Sequence, residues 1–352
     1  MTTYPRSGVS SDTAQAALRS LTAREMRLAI GNTPAPLEQL EPWEAFERTQ
    51  GRTLFGRYAY IVDGKPVAVI ALYRYQVAGF TFLWAKHGPV WLKEQTPQRE
   101  RELRRLLVRE VRRRDNRVVF LRLHARFRAP DTRELMSSIT YDRTFVIDLR
   151  PGDPEAIRAA MPKDGRRGVR RAERVAREAG CQLAEETGLD RAQFEDLYAV
   201  LVATAKRDGF RPHPSQTYWD MLTSLGPSHA RVFVLRRDGV PHCWDIVTVS
   251  GKQATAYYGA SSNESRTFRG AEALDWFVAC QLAAEGMTGL DLMGAESSRV
   301  PELYTVGRYK RRFASHPTEV DGAWDIPVHP LVYRTLVQAR RARHLVRDRL
   351  GM

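Results

Sequence analysis

Three short segments late in the chain hold residues whose types can do chemistry. Tyr257-Tyr258-Gly259-Ala260-Ser261 ends a β-rich run, Leu290-Asp291-Leu292-Met293-Gly294 ends a later one, and Tyr304 to Phe313 follows with Tyr309-Lys310-Arg311-Arg312 inside it. Sequence order brings these strand ends and a short helix together. A lysine there carries a flexible cationic stem that can reach an oxygen on which charge develops. Each residue also has a plainer reading. Neighbours on a strand face opposite ways, so one of Tyr257 and Tyr258 belongs to the core. Asp291 can fix a turn, and three cations in a row commonly face solvent.

Other chemistries lack their residues. Gly64-Lys65 and Gly251-Lys252 sit in hairpin turns and are not part of a phosphate-binding loop, and no GxGxxG opens a helix. The eight histidines form no HExxH and no HxE with CxxC, so no metal is expected. Cys181, Cys243 and Cys280 are odd in number and far apart, which excludes a disulfide scaffold and suits a reducing cytoplasm. Gly259-Ala-Ser-Ser is not the GxSxG of a nucleophile elbow. The start lacks the apolar centre of a secretion signal, and no window approaches the roughly 18 apolar residues of a membrane span.

Charge adds a second clue. Fifty-five Lys and Arg against 41 Asp and Glu give +14, which makes a polyanion the first partner to consider. The excess is local: residues 1–150 hold 26 basic and 16 acidic side chains, residues 331–352 hold 6 and 1, and the stretch between is nearly neutral. In Lys163 to Arg177 the cations Lys163, Arg167, Arg170, Arg174 and Arg177 recur every three or four positions, with Arg166 beside them. That spacing lines them along one side of a helix, where like charges repel unless phosphates meet them. A second basic helix, Pro97 to Asp115, buries Leu103, Leu106, Leu107 and Val111 and leaves Arg99, Arg101, Arg105, Arg109, Arg112 and Arg113 to water.

The elements that must position these residues occur twice. Asp63-Gly64 joins two β-rich runs within Arg57 to Tyr75, followed by a strand at Gly79 to Lys86, the helix at Pro97 and a strand at Val118 to Leu123. Asp238-Gly239 joins Ala230–Arg236 to Val240–Ser250, followed by Gln253–Tyr258, a helix at Glu272–Glu285 and a strand at Leu290–Met293. The repeat predicts a tandem duplication of an α+β sheet covered by helices, dividing near Pro151-Gly152. Residues 1–22 are expected to be mobile, 23–150 to form the first unit, 151–316 the second, and 317–352 a return strand and basic helix. That helix, with Leu331, Leu336, Val337, Leu345 and Val346 apolar, is expected to pack on a unit; an anionic membrane surface is the other place for it.

The order WEAF, VDGKPVAVIAL, HGPV (His87 to Val90), TFVIDL with a basic helix, TAKRDGF (Thr204 to Phe210), AYYGASS, LDLMG and RYKRRF resembles the Fem family of aminoacyl-tRNA-dependent peptidyltransferases over residues 40–330. The resemblance implies two acetyltransferase-like (GNAT) domains and transfer of an amino acid from its tRNA ester to an amine, usually on a peptidoglycan precursor's stem peptide. It implies that Lys310 matches the lysine beside the reacting carbonyl, that Tyr258 and Asp291 complete the catalytic set, and that Arg207, Phe210, Tyr257 and Tyr304 contact substrate. The stripe Lys163, Arg166, Arg167, Arg170 and Arg174 would hold tRNA, which is a co-substrate, so no further cofactor is expected. There is no room between Cys181 and Leu197 for the helical-hairpin arm of some members, so a compact form is expected. His124-Ala125 stands where the family often has Asp-Pro, which keeps open the same reaction on an antibiotic or other small-molecule amine. Arg266-Thr-Phe-Arg-Gly270 is one residue too long for the acetyl-CoA loop [QR]xxGx[GA], which disfavours an acyl-CoA enzyme. A non-catalytic RNA-binding protein is a further alternative.

Overall fold

A computed structural model describes residues 15–136 and 140–349. Strand β1 (Ala16–Leu21) leads into α1 (Ala23–Ile30), which starts at a capping box between Thr22 and Glu25, and then α2 (Glu41–Thr49). The hairpin β2 (Leu54–Val62) and β3 (Lys65–Val77) turns at Asp63-Gly64, both at positive φ. β4 (Phe80–Trp84), β5 (Val90–Trp91), α3 (Pro97–Arg114), β6 (Val118–Ala125), β7 (Arg143–Thr144) and β8 (Val146–Asp148) follow. Next come α4 (Pro154–Ala160), α5 (Lys163–Glu178), β9 (Gln182–Glu185), α6 (Arg191–Asp208) and α7 (Ser215–Leu225). The second meander is β10 (Ala230–Arg237), β11 (Val240–Ser250) and β12 (Gln253–Ser261), then α8 (Gly270–Ala284), β13 (Gly289–Asp291), α9 (Tyr304–Lys310), β14 (Thr318–Glu319), β15 (Gly322–Pro327) and α10 (Pro330–Arg349).

The strands build two sheets, β1-β2-β3-β4-β6-β15 with β5 on β3, and β8-β13-β12-β11-β10-β9. β14 and β7 pair separately. Within the two sheets the pairings are antiparallel except β4 with β6 and β12 with β13, and each of these parallel pairs is bridged by a helix, α3 or α8, because a parallel return needs a crossover. The predicted duplication is therefore present, as an α+β fold.

Four expectations change. The stretch 16–21, expected to be mobile, is strand β1 and pairs with β2 from Ala16↔Val62 to Leu21↔Arg57, which covers an otherwise open edge; residues 1–14 lie outside the described residues. Helices α1 and α2 occupy a stretch to which the sequence reading gave no element. The strand before Pro151 belongs to the second sheet: β8 pairs with β13, and Phe145 and Ile147 enter the second core, so Pro151-Gly152 is only the turn into α4. The return strand is part of the first unit. β15 pairs with β6 from Gly322↔Ala125 to Pro327↔Phe120, and Arg122 and Asp325 form a buried ion pair, Nε to Oδ1 2.7 Å, to which Tyr333 of α10 adds a hydroxyl at 3.1 Å. Tyr333 and Leu336 pack α10 onto Phe82, Val119 and Phe120, while Leu331 stays exposed; the side chains of Leu345 and Val346 lie outside the described ones.

One core joins the two units. Trp43, Phe46, Val69 and Tyr73 of the first pack with Leu197, Tyr218, Trp244 and Ile246 of the second, and the Trp244 indole donates to Leu197 O at 2.6 Å. Separate cores lie under α3 in the first unit and under α5 and α8 in the second.

Candidate active site

β12 and β13 run side by side for three pairs, Gln253↔Gly289, Ala254↔Leu290 and Thr255↔Asp291, and then separate. β12 continues along β11 to Cys243↔Ser261, whereas the chain after β13 turns to the other side, Leu292 N donating to Phe145 O. A fork opens between them. Where it opens, β12 carries a bulge: Ile246 faces Tyr258 and Val247 faces Ala256, leaving Tyr257 as the extra residue. Strand alternation predicts that only one of Tyr257 and Tyr258 faces each side. The bulge cancels that alternation, and both pack on the inter-unit core, Tyr257 against Trp43 and Tyr258 against Tyr218.

Through this bulge the first unit reaches the fork. The Tyr257 hydroxyl donates to Glu38 Oε1 at 3.0 Å, and His87 Nδ1 lies 3.1 Å from the same oxygen. Burial works to raise the Glu38 carboxyl, but the His87 ring outweighs it and holds the group at about 2. His124 stands edge-on to His87; burial, then the charge of His87, push it down to about 3, and its Nδ1 is bonded to Asp321 O. Tyr141 lies between His87, 6.3 Å away ring to ring, and Gly294, whose missing Cβ would stand 3.1 Å from the tyrosine ring.

On the other side of the fork Lys310 Nζ donates to Met293 O at 2.7 Å and Gly294 O at 2.9 Å. An ammonium has three protons, so one remains for a substrate. Burial pushes Lys310 down to about 8, with Asp291 and Asp275 pulling the other way. Asp291 accepts from the Thr144 hydroxyl and from Met293 N, and burial raises its carboxyl. Its plain reading as a turn residue holds, and it also faces the lysine. Behind Lys310, Tyr309 donates to Asp275, and burial raises Asp275 to about 6. Asp245 lies on the same face, filling the space left by the missing side chain of Gly259. Burial and then Asp275 raise it well above the ordinary carboxylate value.

Lys310, Asp291, Tyr257 and Tyr258 thus gather around the fork. Arg207 does not face it freely: its guanidinium is taken by Asp208 and by Ser261 O at 2.6 Å. Phe210 and Tyr304 are 47% and 55% exposed, away from the buried cluster. Of the α5 stripe, Lys163, Arg167, Arg170 and Arg174 are exposed, with Arg170 paired to Glu155 and Arg174 to Glu178. Arg166 is engaged in closing α4, donating to Met161 O at 2.7 Å. On the first basic helix Arg112 is exposed, as expected, and also donates to Val328 O at 2.8 Å.

Positive charge collects elsewhere. A cavity of about 780 Å³ next to Tyr309 is lined by Gly165, Arg269, Arg308, Arg311 and Arg312. Gly165 is required there, since a Cβ would meet Arg312 O at 1.7 Å. A larger cavity, about 1130 Å³, lies between the units, with Met26, Ile30, Gln39 and Leu40 on one side and the Ser250–Gln253 turn on the other. Sequence reasoning missed Glu38, Asp245 and Asp275; His87, Arg269 and Arg308 stood inside quoted segments without a role.

Residues 163–326 match the family model of the acetyltransferase (GNAT) domain. The structure is similar to FemX, with 14% identity over 91% of this chain and 99% of that one and a TM-score of 0.73. It is also similar to a tandem GNAT protein from the clavulanic acid biosynthesis pathway, at 13% identity, 90% and 99% coverage and a TM-score of 0.52. The chain is two GNAT-like domains in tandem. A further likeness is to the C-terminal domain of a candidate lysylphosphatidylglycerol synthetase from Agrobacterium fabrum, at 15% identity, 86% and 92% coverage and a TM-score of 0.54. No curated protein matches the sequence. The tandem GNAT fold is the one that the Fem resemblance implied, and together with the family match it supports an acyltransferase. Among the described residues, no helix of this tandem GNAT chain is long and apolar enough to cross a membrane.

Proposed function

We propose that the protein transfers an amino acid from an aminoacyl-tRNA to an amine, forming an amide bond. The observation that carries this reading is the start of α8. A CoA pyrophosphate would use backbone N–H groups there; those of Ser265, Arg266, Thr267 and Arg269, in the turn before α8, are already used within it, which leaves only the first N–H groups of the helix itself, Gly270 to Glu272. Glu272, buried in the first turn of α8, adds a negative charge where an anion would sit. The cations lie to one side, around the cavity of Arg269, Arg308, Arg311 and Arg312, where Arg269 and Arg312 pair with Glu272 and Arg311 with Glu296. That is where the phosphates of a tRNA end would be held while Tyr304, exposed beside Arg308, offers a ring for a base.

An aminoacyl ester is already activated, so the protein has to orient an amine and stabilise charge. Lys310, with its remaining N–H, suits the oxyanion or the leaving ribose oxygen. For the acceptor amine, a peptidoglycan stem peptide is the first candidate. His124, bonded inside the cluster in place of an Asp-Pro, favours testing small-molecule amines beside it. A protein that only bound RNA would have no use for a buried lysine and a carboxylate–imidazole pair at a fork.

The test is incubation with a mixture of charged tRNAs and candidate amines, with products read by mass and acetyl-CoA as a parallel donor. Amide product from charged tRNA alone is the expected result. Product from acetyl-CoA alone would overturn the proposal.

A further inference from the structure

The Glu38–His87 pair joins a buried carboxylate of the first domain to an imidazole beside the fork, His87 Nδ1 lying 3.1 Å from Glu38 Oε1. Its carboxylate is buried at 5% exposure while the imidazole is 31% exposed, so one partner is sealed and the other opens to the site. His87 Nδ1 is committed to Glu38, and no described protein group bonds Nε2 on the opposite side of the ring. The loop that carries it has no slack. Gln39 donates to Lys86 O at 2.8 Å and accepts from Ala71 N at 2.8 Å, and a Cβ on Gly88 would collide with the Gln39 amide at 2.4 Å. His87 itself adopts a left-handed backbone, φ +50°, a conformation that side-chain-bearing residues rarely take. Such strain persists where the surroundings over-determine it. Tyr257 then anchors Glu38 to the β12 bulge, so a pair from the first domain is fixed against the fork of the second.

We infer that His87, oriented by Glu38, takes the proton from the attacking amine. This rests on the proposed transfer reaction. As the amine nitrogen bonds to the ester carbonyl carbon, its N–H proton passes to His87 Nε2. When the carbon–oxygen ester bond breaks, His87 returns that proton to the leaving ribose oxygen, while Lys310 only donates a hydrogen bond. Product amide and free ribose hydroxyl balance the step, and the protein ends as it began. His87 must be neutral to act, and the groups facing it set how readily it is. Burial lowers its basicity and Glu38 more than restores it, while Lys86 opposes and Asp291 supports the charged form. His124, Tyr141 and Tyr257 are uncharged at neutral pH.

The experiment is the pH profile of transfer in three variants. His87→Gln should lower kcat by about 100-fold or more and remove the acid limb that belongs to the imidazole. Glu38→Gln removes the charge that makes His87 more basic, so it should lower the rate and move that limb to lower pH. His87→Gly suits the left-handed backbone, and added imidazole should restore part of its activity. Unchanged rate and limb in His87→Gln overturn the inference. So does a loss in His87→Gly that imidazole does not relieve together with an unmoved limb in Glu38→Gln, which would make the pair structural. Absence of transfer by the unaltered protein overturns the tRNA reading and this inference with it; transfer by the unaltered protein beside an unaffected His87→Gln overturns this inference alone.

Discussion

The two halves share a plan and differ at one joint. In the second domain the parallel strands β12 and β13 part after three pairs, and a bulge marks the place. In the first, β4 and β6 stay joined: Leu83↔Leu121 and Trp84↔Arg122 are followed by Ala85 N bonded to Arg122 O and His124 N bonded to Gly88 O. The joint that opens in one half is filled in the other by Trp84, Arg122 and the loop carrying His87. An ion pair seals it, with the Arg122 guanidinium between the Phe82 and Trp84 rings and both charges buried. The same topology therefore yields an open fork, beside which Lys310 and Asp291 stand, and a closed one that lends side chains to it. Divergence of two duplicated domains here is a matter of which backbone groups remain free.

The largest effect should come from unsealing the closed half. Asp325→Ala leaves Arg122 buried without its carboxylate and should cost about 3–5 kcal/mol in urea unfolding. If stability is unchanged, the two joints do not differ in the way described. On the open side, Lys310→Ala should lower aminoacyl transfer about 100- to 1,000-fold while tRNA affinity, measured by filter binding, stays nearly constant. An equal loss of affinity would place Lys310 in tRNA binding instead.

These contrasts were only partly legible. The hairpins were visible because Asp63-Gly64 and Asp238-Gly239 dictate turns locally, and α3 because its apolar residues repeat at helical spacing. The capping box at Thr22 and Glu25 was a signal for α1 that went unread. The return of β15 to β6, the transfer of β8 to the second sheet and the bulge at Tyr257 are non-local, decided by which edge is free and which core has room. Lys310 and Asp291 were found through motif order. Glu38 was not, because a buried carboxylate whose partner sits in another element leaves no periodic trace. The α5 stripe was read from spacing alone, which shows where cations line up but not which of them are already paired.

A finer comparison sets that stripe against the arginine cavity. Replacing Arg308, Arg311 and Arg312 with Ala should weaken tRNA binding about tenfold at low salt and make the salt dependence shallower by about 2 in log–log slope. Replacing Arg167, Arg170 and Arg174 with Glu should weaken binding to any tRNA by less. The reverse order would move the phosphate track onto α5.

The smallest effect concerns Asp245. Its carboxyl holds a proton more tightly in the folded protein than in the unfolded chain, so it costs stability wherever the unfolded group is ionised, above about pH 4. Asp245→Asn should raise Tm by about 2 °C at pH 8, and the gain should fade as the pH approaches 4. A gain that is constant with pH would show that charge is not its source.

Strand β15 also sets a schedule for the ribosome. The edge of β6 is complete at Ala125, yet its neighbour begins at Gly322, after the whole second domain has been made. At about 5–20 residues per second, the intervening stretch of about 200 residues takes about 10–40 s to synthesise. Through that interval the nascent first half presents an unpaired strand and an arginine, Arg122, without its aspartate, and such an edge is a template for pairing with another chain. The second domain is thus an insertion that must be folded, or at least kept out of the way, before the first can close.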